Sequence, residues 1–377
     1  MIKGLRLNGF LLLLYPILFL RVAEAQTLEF NNATVYQTEI LFHTSKNPGD
    51  DFHFLGWLLN SSELRLSQNH RFQVDLSLTH GQEPSADIVG DLQTFSNLEA
   101  GFSYGFYEAY YQFEHDDFWI KIGQQDINTD FLVSESGALF THSSFGIDPV
   151  ATINMPAPTY PATALAITSH LQLNENLGLL LGVFDGQFAN PKNDFIGINW
   201  SIDKNDGLIY IIEPELSLFK GKMKQKIGYY HHSGLFTDLS GSGLRRGLSA
   251  FYLVTDLNIL KREEKEINLF LQFDRSTKAV SDLKHYFGFG LKFNNLIQSR
   301  ELNELGIGIG HAALNTRFSS VSTEYDIQNE TFLELNYKHQ LKKWLSIQPY
   351  FQWINIDRIA RPNVDPIILA FRAHIEL

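Results

Sequence analysis

The chain has 377 residues, a formal charge of −12, 44% hydrophobic and 19% charged residues, and no cysteine. The acidic balance excludes a nucleic-acid binder, which needs a basic stripe. The missing cysteines exclude disulfide staples and thiolate metal sites.

At the N-terminus, Lys3 and Arg6 precede an apolar run from Phe10 to Leu20, and Ala23-Glu24-Ala25 follows it. This order predicts a secretory signal peptide over residues 1–25 and a mature domain over 26–377. The apolar run is short for a ~30 Å hydrocarbon layer, and no later segment reaches the ~20 apolar residues of a membrane helix. A membrane-spanning form of this chain is therefore a closed β-barrel, the one alternative that satisfies every backbone group in lipid. Aromatic residues make up 13% of the chain, with 30 Phe and 15 Tyr, which suits the aromatic girdles of such a barrel. A secreted β-rich sugar-binding protein has the same totals, so composition leaves both open.

Period-two alternation predicts strands near 33–43, 62–68, 70–80, 102–115, 117–125, 163–173, 176–186 and 207–219. The second half adds 222–234, 245–258, 264–275, 285–293, 304–312, 329–340, 345–355 and 366–377. Sixteen is an even number, and the joins alternate in length. Asn69, His115-Asp116, Asn174-Glu175, Lys220-Gly221 and Lys342-Lys343 are short, whereas 81–101, 126–162, 187–206, 313–328 and 356–365 are long. The fold class expected is all-β: a 16-stranded antiparallel transmembrane barrel with short periplasmic turns and long outer loops. The join at 294–303 is longer than that rhythm explains.

Several strands separate their faces cleanly. Phe72, Val74, Leu76 and Leu78 oppose Arg71, Gln73, Asp75 and Ser77, and Leu333, Leu335 and Tyr337 oppose Glu334, Asn336 and Lys338. Others mix them: Leu180 and Phe184 stand on a face expected to be wet, and Phe251 and Leu253 are read onto an inner face. A loop packed inside the lumen would cover such residues. Pro214 and Pro349 each remove a ladder donor, which predicts bulges. The longest join, 126–162, carries Phe131, Phe140, Phe145, Met155 and three prolines. A long loop with its own apolar residues must pack them, and folding into the lumen is expected; a cap packed outside is the alternative.

A set of strings then stands in order: HGQEPSADIVGDLQTFSNLEA (80–100), YEAYYQ, IGQQDINTDF (122–131), FTHSSFGIDP (140–149), YPATALAI (160–167), GVFDGQFANP (182–191), ETFLELNYKHQLKKWLSIQPYFQW (330–353) and ILAFRAHIEL (368–377). Together they resemble the carbohydrate-selective porins of the OprB type, from about residue 55 to the end. The resemblance implies an outer-membrane barrel that passes sugars by diffusion, without cofactor, through a lumen narrowed by inward loops. It alone supplies the sugar. The stretch INIDRIARPNVDP (354–366) and the final Leu377 depart from the family pattern.

A sugar channel needs polar groups for hydroxyls and flat rings for the apolar side of the sugar. Arg71, Asp75, Glu108, Gln112, Lys121 and Gln124 are the candidate pore-lining residues, with structural ion pairing as the alternative for each. Four other patterns read as structure. Asp126, Asn128 and Asp130 form a turn lacking the Gly and distal Glu of a calcium loop. His231 and His232 point to opposite faces, and the Ser/His neighbours at 142–144 have no orienting acid in sight. Most of the five tryptophans read as interfacial belt residues. The expected solutes are carbohydrates and the expected surroundings outer-membrane lipids. Monomer and trimer both stay open, as does a general or ion-selective porin.

Overall fold

Sixteen segments with one apolar and one polar face can meet lipid only by closing on one another, since an open edge would leave its backbone groups unpaired in hydrocarbon. The computed structural model describes residues 28–43, 52–189, 195–198, 200–239, 241, 243–276, 280–296, 302–315, 326–359 and 361–377. The expected signal peptide lies outside them. The strands are β1 (Glu29–His43), β2 (His53–Ser67), β3 (His70–Gly81), β4 (Ser103–His115), β5 (Phe118–Gln125), β6 (Ala164–Asn174), β7 (Leu177–Asp185) and β8 (Leu208–Leu218). They continue as β9 (Met223–Thr237), β10 (Leu244–Arg262), β11 (Lys265–Ser276), β12 (Leu283–Asn294), β13 (Asn303–Leu314), β14 (Ile327–Lys342), β15 (Leu345–Arg358) and β16 (Ile367–Glu376). Each pairs antiparallel with its sequence neighbours, and β1 pairs with β16 to close the barrel.

The register assigns the faces. Ile40 stands opposite Phe371 and Phe42 opposite Leu369 on the exposed outer wall, while Glu39 stands opposite Arg372 inside. The segment expected as 62–68 extends back to His53; Asn60, Ser61 and Ser62 interrupt its apolar pattern and hid the first half. Pro214 and Pro349 cause no bulge: the register runs through Leu179–Pro214 and Pro349–Phe371 unshifted, and each proline simply omits a ladder bond. Bulges fall elsewhere, one of them where β4 places both Tyr107 and Glu108 opposite Asp75 of β3. Phe251 and Leu253 face outward, paired with Tyr229 and Ile227, so β10 turns Ala250, Tyr252 and Val254 inward instead. At the join after β12, Asn295 donates its N–H to the Asn303 carbonyl at 2.7 Å.

The interior is divided. Residues 126–162 fold into the lumen through the short helices Ile127–Asp130, Ser143–Gly146 and Pro149–Asn154. Their Phe131, Phe140 and Phe145 are fully buried against Leu180, Phe184, Phe270 and Phe332 of the wall. Burying each ring contributes roughly 1.5–3 kcal/mol. This accounts for the apolar inner face of β7. The wall makes room with glycine: a Cβ on Gly308 would come within 2.7 Å of the Phe145 ring and 2.8 Å of Phe140. The rings of the inward loop thus pack against β7, β11 and β14.

The closing seam is held inside by one ion pair. Arg372 donates to Glu39 at 2.8 and 2.6 Å, and the Tyr350 hydroxyl donates to the same carboxylate at 2.6 Å. Removing one partner leaves the other charge buried alone, at a cost of about 3–5 kcal/mol. Glu39→Ala is therefore expected to lower the urea midpoint of the refolded barrel markedly, and Glu39→Met with Arg372→Met to restore much of it, as followed by the heat-modified gel shift.

Candidate functional site

Two inward segments, 82–102 and 126–162, carry backbone N–H groups that no strand can satisfy, and a buried unpaired donor is costly. The wall supplies carboxylates at the matching heights. Glu330 of β14 accepts from the Leu92 and Gln93 amides at 2.6 and 3.0 Å. Two inward positions further along β14, Glu334 accepts from Thr141 and His142, both at 2.9 Å. Asp256 of β10 accepts from Glu135 and Ser136, Glu213 of β8 from Leu132, and Glu108 of β4 from Asp126. Wall glutamines do the converse, donating from Gln272, Gln348 and Gln352 to the carbonyls of Phe145, Leu139 and Phe95. The two loops also bind each other, through Asn97 N–H to Thr141, Ser144 Oγ to Gln93, and Tyr160 Oη to the Leu98 carbonyl at 3.0 Å.

Pinned in this way, the loops leave two adjoining cavities against the wall strands β14, β15, β16, β1, β2 and β4. A cavity of about 470 Å³ lies between them and Gln37, Trp57, Gln348, Arg372 and His374. A second, of about 1060 Å³, is lined by Glu83, Asp91, Met155, Arg358 and Arg361. The two share Leu92, Thr94, Glu99, Thr152, Thr159 and Tyr160. Five of these six shared residues are polar or carry a hydroxyl, and all belong to the inward loops.

The residues expected to line the pore are placed differently. Arg71, Asp75, Glu108, Gln112 and Lys121 face inward, but none lines either cavity. Lys121 Nζ is 2.8 Å from both oxygens of Asp130 and 4.7 Å from the Trp119 ring centre. Arg71 donates to Glu63 and to Gln112, and Asp75 accepts from Ser61 and Gln73. Gln124 faces the other way. Its pairing with Ala109 and Leu165 puts it on the outer wall, in step with Ile120 and Ile122. There the Gly197 carbonyl accepts from its amide and the Trp200 indole donates to it.

Other patterns resolve similarly. Asp126 caps the helix Ile127–Asp130, accepting from Asn128 N–H at 2.7 Å and from the Tyr107 hydroxyl, while Asp130 goes to Lys121. His231 faces out beside Ser249, and His232 faces in toward the Gly186 carbonyl. His142 lies flat on Phe332, buried away from water, which pushes its proton affinity well below normal. Trp57 is no belt residue: it points inward, 5.2 Å from the Tyr160 ring centre. Glu99, at the junction of the cavities, accepts from Ser85 N–H through both oxygens, at 3.0 and 3.2 Å. Burial, with Asp91 and Glu83 nearby, raises its pKa to about 8. Burial likewise raises Asp91 to about 6.

Residues 56–377 match the family profile described as carbohydrate-selective porin, OprB family. The chain belongs to that family. It is an outer-membrane porin for carbohydrates. Among solved structures, OprB of Pseudomonas putida superposes with a TM-score of 0.80 at 16% identity, covering 92% of this chain and 94% of that one. The outer-membrane channel DcaP of Acinetobacter baumannii gives 0.58 at 7% identity, covering 93% and 97%. The anion-selective porin of Comamonas acidovorans gives 0.54 at 10%, covering 93% and 100%. At such identities these likenesses establish the barrel fold shared by the OprB-family chain. Comparison with curated proteins by sequence returns no match.

The loop clamps make a direct prediction for this porin. Glu334→Ala strips the acceptor from two buried amides, a loss of about 1–3 kcal/mol. Single-channel recordings should then show higher and noisier conductance than the parent, whereas Glu334→Gln should fall between the two.

Proposed function

We propose that neutral mono- and small oligosaccharides diffuse down their gradient along the path formed by the two cavities, between the inward loops and the facing wall of β14, β15, β16, β1, β2 and β4. The observation that carries this reading is the junction of the cavities, where Thr94, Thr152, Thr159, Glu99 and Tyr160 surround the passage. Hydroxyls and amides replace the water lost from a sugar's own hydroxyls. Trp57, with the ring centres of Tyr107 and Tyr160 at 6.0 and 5.2 Å, offers flat apolar faces beside them. Such contacts are weak and multiple, as conduction requires. No cofactor, energy source or catalytic step enters the reading. Residues 1–25 act as the export signal, and the outer apolar band contacts membrane lipids. One chain supplies both loops and the facing wall, so a single copy conducts, and association into trimers would multiply paths.

The test is osmotic swelling of liposomes holding the refolded porin. Glucose and maltose should enter faster than a charged solute of equal size. Tyr160→Ala should admit larger sugars while narrowing the difference between glucose and a hydrophilic polyol of the same mass. Equal rates for all solutes would instead favour a general porin.

A further inference from the structure

The junction of the two cavities carries one carboxylate, Glu99, among its six residues. It is held in place by Ser85 N–H, and Ser85 Oγ in turn donates to Asp91 at 3.2 Å. Among the described residues no cation pairs with Glu99. The nearby cations are already engaged or lie to either side: Arg372 is bound to Glu39, and Arg361 pairs with Asp326 at 2.7 Å. Lys338 and His374 line the first cavity, and Arg358 the second. Glu83 and Asp91 face Glu99 from its own loop, Tyr160 from the second loop, and Glu330 of β14 stands behind Asp91. A carboxylate in this position has no paired cation at the junction of the cavities, where a low-dielectric wall concentrates its field.

We infer that Glu99 is the specificity-determining residue for charge in this porin: uncharged, it lets the passage treat solutes by size and hydroxyl pattern alone, and ionised, it admits cations and cationic sugars over anionic ones. This rests on the diffusion path proposed above. The sign follows from the chemistry. A carboxyl whose pKa is raised stays neutral below that value and becomes negative above it, so cation preference rises as pH climbs through about 8. Asp91, in the second cavity, ionises earlier, near 6, and ordinary histidines have lost their charge by pH 7. Other buried carboxyls of the inward loops and wall do not line the junction, so the part of the change from pH 7 to 9 that Glu99→Gln removes is the part due to Glu99.

The experiment is the zero-current potential across a planar bilayer holding the full barrel under a potassium chloride gradient, read from pH 7 to 9, with glucose swelling measured on the same preparation. The potassium-to-chloride permeability ratio should rise at least about threefold over that interval. Glu99→Gln, whose amide oxygen still accepts from Ser85, should hold the ratio flat at its pH 7 value and keep glucose swelling. Asp91→Asn should keep the rise. A ratio that rises equally in Glu99→Gln, or stays flat in the parent while glucose still enters, overturns the assignment to Glu99 and leaves the sugar path standing. A folded parent that passes neither ions nor glucose overturns both.

Discussion

The clamp between wall carboxylates and loop amides sets everything else in this molecule. A barrel of sixteen strands is wide enough to be an open hole, and its loops would gain nothing by entering it unless their backbone groups found partners there. Glu330, Glu334, Asp256, Glu213 and Glu108 provide those partners at successive positions around the wall. Each accepts one or two amides that would otherwise be stranded. The aromatic rings of 126–162 then fill the space behind, and the two adjoining cavities lie on the other side of the loops. The narrowness of the path is thus a consequence of hydrogen-bond satisfaction on its far side.

The number and kind of elements were legible because alternation is a property of the strand itself and survives any tertiary context. All sixteen strands lie where the period placed them, apart from the first half of β2, where Asn60, Ser61 and Ser62 blur the contrast between faces. The inward course of 126–162 was legible too, since Phe131, Phe140 and Phe145 could not remain in water. A further signal stood unused in GIGIGH (306–311): glycine on three successive inward positions of β13 is a strand surrendering its side chains to rings packed against it.

The lining of the path was not legible, for two reasons. Inward-facing charges looked like pore residues because strand geometry shows which face a side chain takes, and not what already occupies that face. Lys121 and Glu108 do point in, yet Asp130 and the Asp126 amide reach them first. The junction of the two cavities is made by loop residues such as Thr94, Glu99 and Tyr160, which carry no periodicity to mark them. Gln124 is a different case: it shares the parity of Ile122, and a polar residue on the outer wall is tolerated because Gly197 and Trp200 cover it.

The position of the path against β16 and β1 has a wider meaning. The strands that close the cylinder also border the first cavity, and Arg372 serves both, tying Glu39 across the seam while lining that cavity. Closure and permeation therefore draw on the same few side chains. A lineage could retune the loops freely, but any change of chemistry on the seam side would have to preserve a wall as well as a passage. Variation in what such a channel admits should accumulate on one bank of the stream and leave the other nearly still.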